Sequence, residues 1–158
     1  MSTDLYNWTD LGVALRAVTS KSQLTDKSNA DYAYFDKAYN LTKSDGSVDA
    51  AKADAIFPYL NTNPDQDGDG AVDSVQGIFE RPKIIYNKKN KQYVLWWHSD
   101  GSTTPGGSNY ARALAGVAVS DNPAGPFTMV GAYRLPNQNN WKEAAGNPSW
   151  VRTVTAAI

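Results

Sequence analysis

Residues 65–73 read Asp-Gln-Asp-Gly-Asp-Gly-Ala-Val-Asp, with carboxylates at positions one, three, five and nine and glycine at six. That spacing matches a calcium loop, in which a hard cation takes oxygen ligands and a glycine permits the tight turn. Asp65, Asp67, Asp69 and Asp73 would supply carboxylates, and Ala71 its carbonyl at position seven. Val72 would be the apolar anchor at eight. At position twelve Gln76 stands in place of the bidentate acid and brings less charge to the set. The role expected of such an ion is to order the loop, not to do chemistry. The plain alternative is an acidic, glycine-rich surface turn.

A second cluster is Glu80-Arg81-Pro82-Lys83, an acid and a guanidinium side by side ahead of a proline. Proline biases the residue before it toward extended backbone, which predicts an extended Arg81. Along extended backbone, adjacent side chains face opposite ways, so one of the pair would face a cleft while the other braces the sheet. Locally, the same four residues also describe an ordinary ion pair at a strand edge. His98 is the chain's one histidine and there is no cysteine, which excludes a histidine-rich or thiolate metal set. Trp96 and Trp97, just ahead of it, must point to opposite faces of any strand they occupy.

These groups need elements to hold them. The chain has 158 residues, enough for one buried core, and a net charge of −1 that gives no strong attraction to nucleic acid or an anionic membrane. Five Trp and nine Tyr suit a sugar-binding surface, since an aromatic face packs on the apolar face of a pyranose, but β-proteins are rich in them anyway. No apolar run approaches the roughly 20 residues of a membrane helix. Residues 1–8 lack the basic start and apolar core of a signal peptide.

Four segments read as strands: 83–87, 92–98, 112–120 and 127–135. They are separated by the polar turn 87–91, the Gly/Ser/Thr/Pro-rich stretch 100–108, and Pro123-Ala-Gly-Pro126. Residues 8–15 read as a further strand with a glycine break. Residues 2–15 and 119–131 share a faint repeat of Ser, Asp, a turn, an aromatic, Thr and Gly. Between them, residues 18–77 shift to Ser, Asp, Lys, Asn and Ala. A helix is expected over 30–41, and a second from Val48, capped by Ser47 and stopped by Pro58. The expected organisation is the end of one blade at 1–17, an inserted helical and loop segment at 18–77, one four-stranded blade at 78–136, and an irregular tail at 137–158.

Three stretches together, Ser2-Thr-Asp-Leu-Tyr-Asn-Trp8, Glu80-Arg-Pro-Lys-Ile-Ile-Tyr-Asn87 and Ala118-Val-Ser-Asp-Asn-Pro-Ala-Gly-Pro-Phe127, resemble glycoside hydrolase family 43, in its galactan-directed branch. The resemblance implies a mainly β fold: about two blades of a five-bladed β-propeller, each of four antiparallel strands, interrupted by the insertion. It implies that Glu80 contacts sugar hydroxyls and that Arg81 binds sugar or holds Glu80. It places His98 and Tyr110 at the family's substrate-contacting His and Tyr. No catalytic role transfers to any residue here, because the family's catalytic acids match no position in this sequence. Back-translation of residues 150–158, read one nucleotide earlier, permits Gly-Lys-Asn-Gly-Asp-Ser-Arg-Asp. Its Ser-Arg-Asp resembles a family active-site motif, so residues 151–158 are expected to be a frameshifted tail on a truncated chain.

The expected function is that of part of a secreted or periplasmic enzyme cleaving O-glycosidic bonds of a β-1,3-galactan-like polysaccharide, and inactive alone. Its partners would be oligo- or polysaccharide, with self-association through exposed sheet edges. The alternative is a non-catalytic carbohydrate-binding or calcium-dependent adhesion module.

Overall fold

A computed structural model of the chain describes residues 6–133. It contains one antiparallel sheet of four strands in sequential order: β1 (Gly77–Asn87), β2 (Gln92–Gly101), β3 (Leu114–Ser120) and β4 (Thr128–Tyr133). This is the expected four-stranded meander, and the chain is mainly β. The β1–β2 turn forms because the Asn87 side chain accepts from the N–H groups of Lys89 and Asn90, at 3.0 and 3.3 Å, which satisfies turn donors locally.

Three helices precede the sheet: α1 (Ser22–Thr25), α2 (Tyr32–Tyr39) and α3 (Ala50–Leu60). Asn40 ends α2 with a left-handed φ of 52°, which asparagine tolerates better than most residues. For α3 the sequence reading is corrected at both ends. Asp49, not Ser47, is the cap, its side chain accepting from the Lys52 N–H at 3.1 Å. Ser47 instead bonds the Asp45 carboxylate through its N–H and its hydroxyl. Pro58 lies inside the last turn rather than stopping the helix. Its missing N–H costs one helical bond, and the turn is held from outside: the Pro58 carbonyl accepts from the Arg112 guanidinium at 2.5 Å.

The helical segment is no excursion from the sheet. Leu24, Phe35, Leu41, Ala53, Ile56 and Leu60 share one core with Leu95, Trp97, Ala118, Phe127, Met129 and Ala132. Strand alternation explains the choice of sheet residues. Tyr93, Leu95, Trp97 and Ser99 share one face, and that face meets the helices. Trp97 is 4% exposed and stacks on Phe79 with centroids 5.9 Å apart. Trp96, on the other face, meets Tyr133 edge-on at 6.1 Å. Burial of a side chain the size of Leu or Phe contributes about 1.5–3 kcal/mol, so this layer is the main source of stability.

Two other expectations are corrected. Residues 8–13 lie in no strand, and Trp8, Leu11 and Val13 are exposed. Only the single sheet occurs among the described residues, where about two blades were expected. Leu135 and the tail 137–158, with its supposed frameshift, lie outside them.

Trp97 reaches its position because Gly116, paired opposite it on β3, has no side chain. A Cβ at Gly116 would sit 2.1 Å from Trp97 Cε2. Gly116→Ala should therefore destabilise the fold by about 1–3 kcal/mol, the usual penalty for overpacking. A urea unfolding curve measures this; an unchanged midpoint would mean that Trp97 has room to move.

Candidate functional site

The sheet face away from the helices carries Glu80 and His98. Glu80 on β1 and His98 on β2 pair directly across the ladder, and the Glu80 Oε2 to His98 Nδ1 distance is 3.2 Å. The loop 102–113 that joins β2 to β3 folds back over them. From it the Tyr110 hydroxyl donates to Glu80 Oε1 at 2.8 Å, and the Tyr110 ring stacks near His98 at 6.4 Å between centroids. Both oxygens of Glu80 are thus held, while its side chain stays about one-third exposed. The three residues named from sequence, Glu80, His98 and Tyr110, come together.

Arg81 is placed differently from the expectation. Its φ is 53°, left-handed rather than extended. The ladder register slips between Glu80 and Lys83, so that Arg81 and Pro82 together oppose Trp97. This is a β-bulge, which bends a strand and re-aims its side chains. The left-handed residue costs on the order of 1–3 kcal/mol, a strain sustained by the paired ladder on either side. Arg81 acts on Glu80 through its charge, which favours the carboxylate.

Asp100 went unremarked in the sequence, yet it is central. It is 2% exposed, and its Oδ2 lies 3.0 Å from His98 Nε2. Its Oδ1 accepts from the N–H groups of Gly101, Arg112 and Ala113 at 2.9, 2.9 and 3.1 Å. The signal was there: in an extended His98-Ser-Asp100, residues i and i+2 share a face. Gly101 then turns the chain with φ at 139°, where a Cβ would meet the Gln76 carbonyl oxygen at 2.0 Å.

The electrostatics follow from these contacts. Hydrogen bonds from Tyr110 and then His98 hold the Glu80 carboxyl below its ordinary range. Burial pushes Asp100 up, but the three backbone N–H groups together outweigh it and hold it low. The bond to Glu80 and its negative charge push the Tyr110 phenol up. Glu80 and Asp100 are therefore both anions at neutral pH, one accessible and one sealed.

The acidic loop is a separate feature. Carboxylate oxygens of Asp65, Asp67 and Asp73 lie within 4.8 Å of one another. Asp69 is not part of this group; its Oδ1 accepts from the Ala71 N–H at 2.7 Å. Asp65 accepts from the N–H groups of Gly68 and Gly70 at 2.7 and 2.9 Å. Gln76, at the twelfth position, turns its amide to the Thr62 carbonyl instead. The loop is anchored by Asn61, fully buried at the end of α3. The Asn61 side chain donates to the Val75 carbonyl at 2.6 Å and accepts from the Asn63 N–H at 3.0 Å.

No protein-family model and no curated protein sequence matches the chain. Solved structures do. An exo-β-1,3-galactanase from Phanerochaete chrysosporium, solved with β-1,3-galactotriose, is 42% identical over 42% of this chain and 14% of its own, with a TM-score of 0.33. A family 43 β-1,3-galactosidase, solved with galactodeoxynojirimycin, is 26% identical over 85% of this chain and 24% of its own, with a TM-score of 0.45. A second β-1,3-galactosidase of that family is 23% identical over 84% of this chain and 18% of its own, with a TM-score of 0.43. This chain is similar to galactan-directed members of glycoside hydrolase family 43. It spans between 14% and 24% of the length of these proteins.

The depressed carboxylates set an acid limit. Both groups bind protons more weakly in the folded chain than in the unfolded one. Their stabilisation is complete above the ordinary carboxylate values of about 4 and is lost as pH falls through the lower folded values. Asp26, Asp31 and Asp45 are also held low and contribute alongside them. A Glu80→Gln/Asp100→Asn double variant should therefore melt at a temperature that falls less steeply below about pH 4 than that of the wild type. Equal steepness in the two proteins would contradict the assignment.

Proposed function

We propose that the Glu80 face is a galactoside-contacting surface, one wall of the cleft of a galactan-directed glycoside hydrolase. The supporting observation is the doubly held, solvent-reachable carboxylate of Glu80. Tyr110 and His98 fix its two oxygens, leaving lone pairs outward as acceptors for sugar hydroxyls. The exposed ring of Tyr110 beside it offers an apolar face for the sugar's C–H side. The resemblance carried by residues 80–87 and 118–127 directs the choice of sugar to galactose in β-1,3 linkage. Such polymers do not cross membranes, so a parent enzyme would act outside the cytoplasm.

Hydrolysis of a glycosidic bond needs two carboxyl groups flanking it, one of them a proton donor. At this site Glu80 is the reachable carboxyl and is held ionised, while Asp100 is sealed and fully engaged. The surface therefore binds and orients, and the acid and base of the reaction come from elsewhere in the enzyme. We expect the 158-residue chain to leave β-1,3-galactan uncleaved. Turnover that disappears in Glu80→Gln would overturn this division of roles. Galactotriose should bind with a Kd of about millimolar, or near −4 kcal/mol. Glu80→Gln should weaken it on the order of tenfold with little change in melting temperature. The reverse pattern, unchanged affinity and a lowered melting temperature, would make Glu80 a structural ion-pair partner.

For the acidic loop we propose a calcium ion held by Asp65, Asp67 and Asp73, with the loop stiffened by it. Support comes from three carboxylates gathered where their mutual repulsion calls for a cation. Millimolar calcium should slow proteolysis within residues 65–73 and raise the melting temperature. Identical digestion with calcium and with chelator would refute the ion.

A further inference from the structure

Asp100 is placed to do more than fill a buried position. The three N–H groups on Oδ1 come from both ends of the loop that carries Tyr110: Gly101 where it leaves β2, Arg112 and Ala113 where it returns. One oxygen thus closes the loop's neck. Arg112 ties that neck to the helix layer through the Pro58 carbonyl, with its guanidinium over the Tyr59 ring at 5.3 Å. Tyr110 sits two residues before the tether, and its backbone bridges to Gly101. With Oδ1 saturated, the carboxylate cannot rotate, and Oδ2 is left facing His98 Nε2 at 3.0 Å.

A carboxylate only accepts hydrogen bonds, so Nε2 must carry a proton to meet it. The ring's other nitrogen, Nδ1, faces a second carboxylate, Glu80, at 3.2 Å. A neutral imidazole has one N–H and would set a bare lone pair against Glu80. Meeting both partners takes a proton on each nitrogen. The buried carboxylate thereby decides which nitrogen is always a donor and fixes the ring plane that Glu80 sees.

We propose that Asp100 is the positioning residue of this site: a single sealed carboxylate sets the His98 ring and the Tyr110 loop, and through them both oxygens of Glu80. Its purpose in the molecule rests on the galactoside-contact reading above, but its test does not. The chain's one histidine makes the measurement clean, because a two-bond ¹H–¹⁵N spectrum of the ring reports His98 alone. In the wild type, Nε2 should show the shift of a protonated nitrogen. Asp100→Asn keeps an acceptor oxygen for the three N–H groups and turns an NH₂ toward Nε2. Nε2 must then become the bare acceptor, and the proton remains on Nδ1 toward Glu80. Galactotriose affinity should fall about tenfold in that variant.

A bare Nε2 in the wild type overturns the proposal, and so do ring signals in Asp100→Asn identical to those of the wild type. If Asp100→Asn does not fold, the wild-type spectrum alone decides, since Nε2 is either protonated or bare. A loop that merely needed a buried acid for stability would lower the melting temperature without moving the ring proton. If the ring responds as expected but wild-type chain ignores galactotriose, Asp100 keeps its positioning role and the galactoside reading fails.

Discussion

The buried carboxylate of Asp100 is the constraint on which the rest of the site depends. A charge that is 2% exposed would be costly unless its oxygens were satisfied. Three backbone N–H groups and the His98 ring satisfy it. Those partners come from β2, from the far end of a long loop, and from the ring that faces Glu80. Removing the carboxylate frees all of them together, so the cost of sealing the acid is tied to the order of the loop and of the ring. Without this carboxylate, residues 102–113 would be a Gly/Ser/Thr/Pro-rich connection with few reasons to hold Tyr110 over the sheet.

The sheet divides its labour by face. Strand alternation sends Leu95, Trp97 and Ser99 toward the helices, and Trp96, His98 and Asp100 the other way. The rigidity of the first face supports the precision of the second. Trp97 packs against Gly116 and Phe79, which anchors β2 directly behind His98. On β1 the bulge at Arg81 and Pro82 breaks the regular ladder immediately after Glu80. Beyond it Ile84, Ile85 and Tyr86 are exposed along an edge of the sheet. The bulge and the neighbouring lysines blunt that edge, a common defence against strand pairing between molecules.

Much of this was legible in the sequence, and what was not has physical causes. Strand periodicity and turn residues are local signals, so the four-stranded meander and the presence of helices could be read directly. Glu80, His98 and Tyr110 were named from the family resemblance, and the fold brings them together. Asp100 escaped notice because its main partners are backbone N–H groups up to 13 positions away, which no side-chain motif records. Arg81 misled because the rule for residues before proline is a preference, and ladder pairing on either side of the bulge overrode it. The helical segment looked like an excursion because its apolar residues show no clean period; their partners are Trp97, Phe127 and Met129, far along the chain. Residues 8–15 carried a strand-like pattern but form no strand among the described residues; Ala14 gives its carbonyl to the Phe127 N–H just ahead of β4.

Amide hydrogen exchange tests the central claim most directly. If Oδ1 of Asp100 closes the loop, the N–H groups of Arg112 and Ala113 are sequestered although both belong to a connecting loop. They should exchange far more slowly than those of residues 103–109, and lose that protection in Asp100→Ala, which removes the acceptor, while the β2–β3 ladder keeps its own. Arg112 and Ala113 exchanging as fast as residues 103–109 in the wild type would show that the carboxylate does not hold the loop, and the account would fail at its base.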